Sequence, residues 1–122
     1  MSQSAENYLK TILLLQRKLG HVRSIDIANE LMVSKPSVSN ALKKLRNEGL
    51  IVMNLQHDII MTEEGLRYAT LIFEHHVVIE KFLTDFFQIN SEIAHVDSCR
   101  IEHLLSDETF NKIKEYLMKM SI

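Results

Sequence analysis

The 122 residues contain one cysteine, one proline, three glycines and no tryptophan. A single cysteine cannot close an internal disulfide, which excludes a disulfide-stapled scaffold, fits a reducing compartment and leaves Cys99 available as a ligand. No stretch reaches about 18 apolar residues without a charge, so a membrane-spanning helix is not expected. The opening Met1-Ser2-Gln3-Ser4-Ala5-Glu6 has neither a basic nor an apolar segment of the kind that starts a secretory signal. Internal repeats and low-complexity linkers are also missing. These absences predict a cytoplasmic protein without a membrane partner. Its 46% hydrophobic and 25% charged residues are ordinary for a globular chain, enough for one core or two small subdomains.

Charge is unevenly placed. Residues 1–62 carry eight Lys/Arg against five Asp/Glu, a net +3, whereas residues 63–122 carry six against eleven, a net −5. A basic first half suggests an anionic partner, and an acidic second half suggests a cation.

The few helix breakers mark boundaries. Ser4 is a cap candidate for a helix carrying Tyr8, Leu9, Ile12, Leu13 and Leu15, with Gly20 as its stop. Ser24 is a second cap candidate, and the break Met32-Val33-Ser34 leads to a third, with Pro36 in the first turn. That third helix is expected to reach about Glu48, with Val38, Ala41, Leu42 and Leu45 inward and Gly49 just past its end. Leu50–Asn54 and Asp58–Met61 then read as a short hairpin around Leu55-Gln56-His57. Thr62 caps a long helix reaching about Phe87; Ser91 and Ser106 are the cap candidates for two more. The expected fold is mainly α with a small β-hairpin. A winged helix-turn-helix over 1–62 precedes a helical domain over 63–122.

In such a unit the second helix enters the DNA major groove. The residues it would present are Lys35, Pro36, Ser37, Ser39 and Asn40, followed by Lys43 and Lys44. Asn40 is the candidate for reading a base, and the lysines neutralise phosphates. The plain alternative is a packing unit with a polar face. A helix that opens Ser-Lys-Pro-Ser-Val-Ser-Asn is a poor helix former, which makes more sense if its exposed edge is used.

The second half carries a different chemistry. His95, Cys99, Glu102 and His103 stand at i, i+4, i+7 and i+8, within a helical arc of roughly 100°. His76 and Glu80 form another i, i+4 pair on the preceding helix. Imidazole, thiolate and carboxylate together suit a borderline-soft divalent transition metal. Any one of these residues alone is more simply structural, as a buried cysteine or a solvated face; six on neighbouring faces are harder to explain that way.

These segments resemble the diphtheria-toxin-repressor and manganese-transport-regulator family of bacterial metal-dependent repressors. The likeness runs through Asn7-Tyr8-Leu9, Lys35-Pro36-Ser37-Val38-Ser39, Gly49-Leu50-Ile51, Met61-Thr62, His76 with Glu80 before Phe82-Leu83, and Cys99-Arg100-Ile101-Glu102-His103-Leu104-Leu105-Ser106. The resemblance implies a DNA-binding domain followed by a dimerisation domain. It also implies a primary metal site at Asn7, Cys99, Glu102 and His103, with an ancillary site at His76, Glu80 and His95. Three departures stand out. Asn7 offers only a neutral amide oxygen where relatives carry a thioether or carboxylate. Lys10 replaces a carboxylate of the manganese branch. The chain stops at Ile122, before the SH3-like third domain of longer relatives, so ancillary ligands from that domain are expected to be missing.

The expected function is a metal-dependent regulator, and most simply a repressor of metal-uptake genes. It would bind a palindromic double-stranded operator as a metal-loaded homodimer, without enzymatic activity or a small-molecule substrate. Cys99 favours Fe(II), Co(II) or Zn(II) over Mn(II), while cellular availability also counts. Fe(II) is the first expectation and Mn(II) the second. Two rivals remain open. One is a winged-helix regulator that senses oxidants or a small molecule through Cys99. The other is a small metalloenzyme, disfavoured because the chain lacks the paired Glu-x-x-His motifs of di-iron bundles.

Overall fold

The computed structural model describes residues 1–120. Its elements are α1 (Gln3–Leu19), α2 (Ser24–Leu31), α3 (Lys35–Asn47), β1 (Ile51–Met53), β2 (Ile59–Met61), α4 (Glu63–Phe86), α5 (Ser91–Ile101) and α6 (Asp107–Met120). The backbone divides into two compact units, Met1–Thr70 and a second beginning at Leu71, so α4 starts in one and continues through the other.

The first unit closes around the inward faces of α1–α3 and the hairpin. Leu9, Ile12, Val22, Ile27, Val38, Leu45, Ile51 and Ile59 are almost wholly removed from water. Full burial of each Leu, Ile or Val stabilises by about 1.5–3 kcal/mol before entropy is counted. The strands pair antiparallel with Ile51 opposite Met61 and Met53 opposite Ile59. Side chains alternate across the pleat, which sends Ile51 and Ile59 inward and leaves Val52 and Ile60 exposed. The Ile59 N–H donates to the Val22 carbonyl at 2.7 Å, anchoring β2 to the α1–α2 connection.

Helix ends follow the expected chemistry with three shifts. Ser2, not Ser4, caps α1, its hydroxyl accepting from the Ala5 N–H at 3.1 Å. Ser24 is already helical; Arg23 precedes it with extended backbone, and the Arg23 N–H donates to the Asp26 carboxylate at 2.9 Å. Asn90 takes the place expected for Ser91, its side-chain oxygen accepting from the Glu92 N–H at 2.9 Å. In each case the residue before the helix lies further upstream than the sequence pattern suggests; Ser2 and Asn90 cap through their side-chain oxygens, whereas Arg23 makes no side-chain cap bond. Ser34 and Ser106 cap as expected, accepting from the Ser37 and Thr109 N–H groups. Gly49 adopts φ +75°, and the Leu50 N–H returns to the Leu45 carbonyl at 3.0 Å. That bond draws Leu50 out of the strand and shortens β1 relative to the expected Leu50–Asn54.

In the second unit Ile72, Ile79, Ala94, Ser98, Phe110 and Leu117 are buried. The His75 ring stacks on Phe110 with centroids 3.8 Å apart, and Lys114 pairs with Glu74, joining α6 to α4. α5 ends at Ile101, so Glu102 is its C-cap residue and His103 lies in the following turn. The helical arc drawn through all four candidate ligands therefore stops one residue short of His103.

Candidate functional site

The first unit presents the expected reading helix. Lys35, Pro36, Ser37, Ser39, Asn40, Lys43 and Lys44 are all exposed, while Val38, Leu42 and Leu45 on the same helix are buried. The buried stripe fixes the rotation of α3, so the polar edge faces outward as a set. Arg46 extends the basic series, exposed near the end of α3.

Beside it, the hairpin turn is braced by a device that the sequence reading left undefined. The Asn54 side-chain oxygen accepts from the Gln56 and Asp58 N–H groups at 3.0 and 2.9 Å, closing an Asx turn in a loop whose sequence contains no Asn-Gly pair. His57 takes φ +65° within it. Asp58 accepts from the Arg23 guanidinium at 3.0 Å and from the Asn54 amide at 3.3 Å, with His21 3.7 Å away. The Arg23 hydrogen bond, then that of Asn54, holds the Asp58 carboxyl below the usual range, outweighing the opposing effect of desolvation.

The second unit gathers nearly all the predicted metal donors. His76 on α4 is at the centre. Its Nδ1 lies 2.8 Å from Glu102 Oε2 and 3.8 Å from Cys99 Sγ, and its Nε2 lies 2.8 Å from Glu80 Oε2. The same Glu80 oxygen is 3.4 Å from His95 Nδ1, while His95 Nε2 faces Cys99 Sγ at 3.9 Å. Glu102 Oε1 lies 3.2 Å from His103 Nε2. The Glu102 side chain is fully buried and that of His103 nearly so, whereas the His95 side chain is 60% exposed. The centre is thus buried at Glu102 and open to solvent at His95.

This donor set fits a divalent transition metal. One ligand atom from each of His76, His95 and Cys99 lies within 4.8 Å of the others, combining two imidazoles with a thiol. Asn7, half-buried on α1, belongs to the first unit, where it lines an open cleft of about 510 Å³ with Gln3, Ser4, Tyr8, Leu31 and Val33. Lys10 on the same helix is buried. The sequence reading missed the double role of Glu80. Its i, i+4 spacing from His76 was visible, but its approach to His95 depends on how α4 and α5 pack.

Comparison with known proteins agrees with this division of labour. Residues 1–57 match the N-terminal DNA-binding domain of iron-dependent repressors, and residues 62–121 match the metal-binding and dimerisation domain of the same repressors. An uncharacterized HTH-type transcriptional regulator of Methanocaldococcus jannaschii is 32% identical over 120 residues, covering 98% of this chain and 96% of the other. The transcriptional regulator MntR of Escherichia coli is 34% identical over 114 residues, covering 93% of this chain and 73% of the other. The solved structure of the manganese regulator SloR superposes with a TM-score of 0.83 at 29% identity, covering 96% of this chain and 54% of the other. The chain therefore spans about half the length of that solved relative. No helix among the described residues is long and apolar enough to cross a membrane. With both domain models matched in order along its length, the chain belongs to the iron-dependent repressor family of metal-dependent transcriptional regulators, the group of the diphtheria toxin repressor and the manganese regulators.

Proposed function

We propose that this chain is a cytoplasmic, metal-activated repressor of metal-uptake genes that binds a palindromic operator as a homodimer. Residues 1–62 would form the DNA-binding domain and residues 63–122 the dimerisation and metal-binding domain. The observation that carries this reading is the combination, in one chain, of an exposed Lys35–Lys44 edge with a histidine, cysteine and carboxylate cluster around His76. No small-molecule substrate or membrane partner enters the proposal.

The donors proposed from the resemblance are Asn7, Cys99, Glu102 and His103 for a primary site and His76, Glu80 and His95 for an ancillary one. When bound, a divalent cation would supply positive charge to an acidic region and a fixed geometry to its ligands. Fe(II) is the first candidate and Mn(II) the second. The protein's own contribution is positional. Two recognition helices in a dimer must meet half-sites about one helical turn, or a multiple of it, apart. On each, Asn40 would read a base edge while Lys43 and Lys44 neutralise phosphates. Moving such a dimer from mostly incompetent to mostly competent needs a difference in metal affinity of about 5 kcal/mol between the two states. A multidentate cluster supplies that more readily than a single contact.

Fluorescence anisotropy on a labelled palindromic duplex tests the reading, with apo protein and with Fe(II), Mn(II), Co(II) or Zn(II) added in turn. Tight binding should appear only with metal and vanish on chelation. Equal affinity for apo and loaded protein would sink the proposal.

A further inference from the structure

We propose that Arg23 contacts a phosphate of the DNA backbone outside the groove read by α3, and that Asp58 is the residue that positions it. This inference rests on the DNA-binding reading above and adds a contact that lies apart from the Lys35–Lys44 edge.

Arg23 stands immediately before α2, at the start of the helix-turn-helix pair. In such pairs the second helix enters the major groove while the first crosses the sugar–phosphate backbone. A cation at the start of α2 is therefore suited to phosphates and not to base edges. The Arg23 side chain is 57% exposed, whereas that of Asp58 is only 16% exposed.

The guanidinium is held from one side only. Its Nε–H donates to Asp58 Oδ1 at 3.0 Å, and among the described residues neither terminal nitrogen has a protein partner. Arginine carries its donors in a planar fork that matches the geometry of a phosphate. Fixing Nε leaves the rest of that fork free for an anion.

Asp58 is itself fixed. The Asn54 amide donates to Asp58 Oδ2 at 3.3 Å, and the Asp58 N–H donates to the Asn54 side-chain oxygen at 2.9 Å. The next residue, Ile59, donates its N–H to the Val22 carbonyl at 2.7 Å. The hairpin is thus tied by its backbone to the residue before Arg23, and by Asp58 to the Arg23 side chain. His21 Nδ1 faces the same carboxylate at 3.7 Å, from an exposed ring.

Bracing the hairpin does not require this arrangement. An exposed ion pair adds little to stability, and the Asn54 turn and the Ile59–Val22 bond already hold the strands in place. A pre-ordered arginine has a different value. It gives up less side-chain freedom when it meets its anion.

Salt titrations of DNA binding test the contact. The full chain is loaded with whichever of Fe(II), Mn(II), Co(II) or Zn(II) gives the tightest binding. Its affinity for a palindromic and a scrambled duplex is then followed by fluorescence anisotropy. Arg23→Gln should weaken binding to both duplexes by the same factor and make the log–log salt dependence shallower by about one unit per bound protomer. Arg23→Lys should keep the slope, because the charge remains, yet weaken binding, because a point charge replaces the fork. Asp58→Asn should weaken binding where Arg23 is present, although it removes a negative charge; in the Arg23→Gln background it should weaken binding no further. Circular dichroism melts on the same variants establish that each is folded at the temperature of the titration. An unchanged slope in Arg23→Gln would overturn the phosphate contact. Asp58→Asn that tightens binding, or weakens it equally in both backgrounds, would overturn the positioning role. Wild-type protein that binds neither duplex with any of the four metals rejects the functional reading, and the contact with it.

Discussion

Gly65 lies against the backbone of Leu50, so close that a β-carbon at position 65 would overlap the Leu50 carbonyl oxygen. That oxygen accepts from the Thr62 N–H at 3.0 Å. The Thr62 hydroxyl donates to the Gly49 carbonyl at 2.7 Å and accepts from the Gly65 N–H at 3.1 Å. The end of α3 and the start of α4 are thereby joined backbone to backbone, in a space where only glycine fits.

Gly65→Ala should therefore destabilise the first unit, although alanine is the better helix former. Overpacking of this kind costs about 1–3 kcal/mol, and here the neighbour is backbone that cannot rotate away. Thermal unfolding followed by circular dichroism should show a lower midpoint. An unchanged or raised midpoint would mean that α4 shifts without cost.

Acid should loosen the hairpin through Asp58. Its carboxyl is held below the ordinary value of 3.8 by Arg23 first and Asn54 second. A depressed folded-state pKa means that the contribution is complete above the unfolded value and is lost as pH falls through the folded one. The window lies below 3.8, and neutral-pH stability should be insensitive to small changes in pH on account of this group. Asp58→Asn should flatten the acid limb of the stability curve measured by urea unfolding; an identical limb in the variant would reject the assignment.

On the reading helix, Asn40→Ala should relax discrimination at one base position, at a cost of about 1–3 kcal/mol on the cognate operator. Lys43→Ala or Lys44→Ala should weaken binding to every duplex and make the log–log salt dependence shallower by about one unit. Salt titrations on cognate and scrambled duplexes distinguish the two. A uniform loss for Asn40→Ala on both would show that it positions the protein and does not read sequence.

Glu102→Gln keeps the size of the buried side chain but replaces a charged oxygen with an amide. Since both oxygens face imidazoles, at 2.8 and 3.2 Å, the variant should bind metal more weakly and lose metal-stimulated operator binding. Isothermal titration with Co(II) and far-ultraviolet circular dichroism check the two halves of that statement. Wild-type affinity in a folded variant would remove Glu102 from the centre.

Local chemistry made much of this protein legible from its residues in order. Apolar spacing on α1 and α3 announces which faces are buried, Gly20 and Gly49 mark helix ends with positive φ, and Pro36 marks a first turn. The exposed edge from Lys35 to Lys44 follows directly, because burying Val38, Leu42 and Leu45 leaves no other orientation. The pairing of His95 with Cys99 and of His76 with Glu80 is likewise a matter of helical spacing within one element.

Cap positions were harder, since Ser2 and Asn90 win over neighbours of similar chemistry, and Arg23 takes the cap position of α2 without a side-chain cap bond, through backbone angles that only the folded chain fixes. The brace of Asn54 on Asp58 was hidden because an Asx turn carries no fixed dipeptide signature.

By itself the order of residues determined the helix faces, the succession of helices and short strands, and the stock of nitrogen, sulfur and oxygen donors. Those are properties of single elements with periods of 3.6 or 2. Only the tertiary structure decided that the Glu80 oxygen facing His76 also faces His95, and that Glu102 lies between His76 and His103. Residues 15 and 26 positions apart meet there because α4 and α5 pack, and the depth and rotation of that packing are set by side-chain volumes summed over both helices.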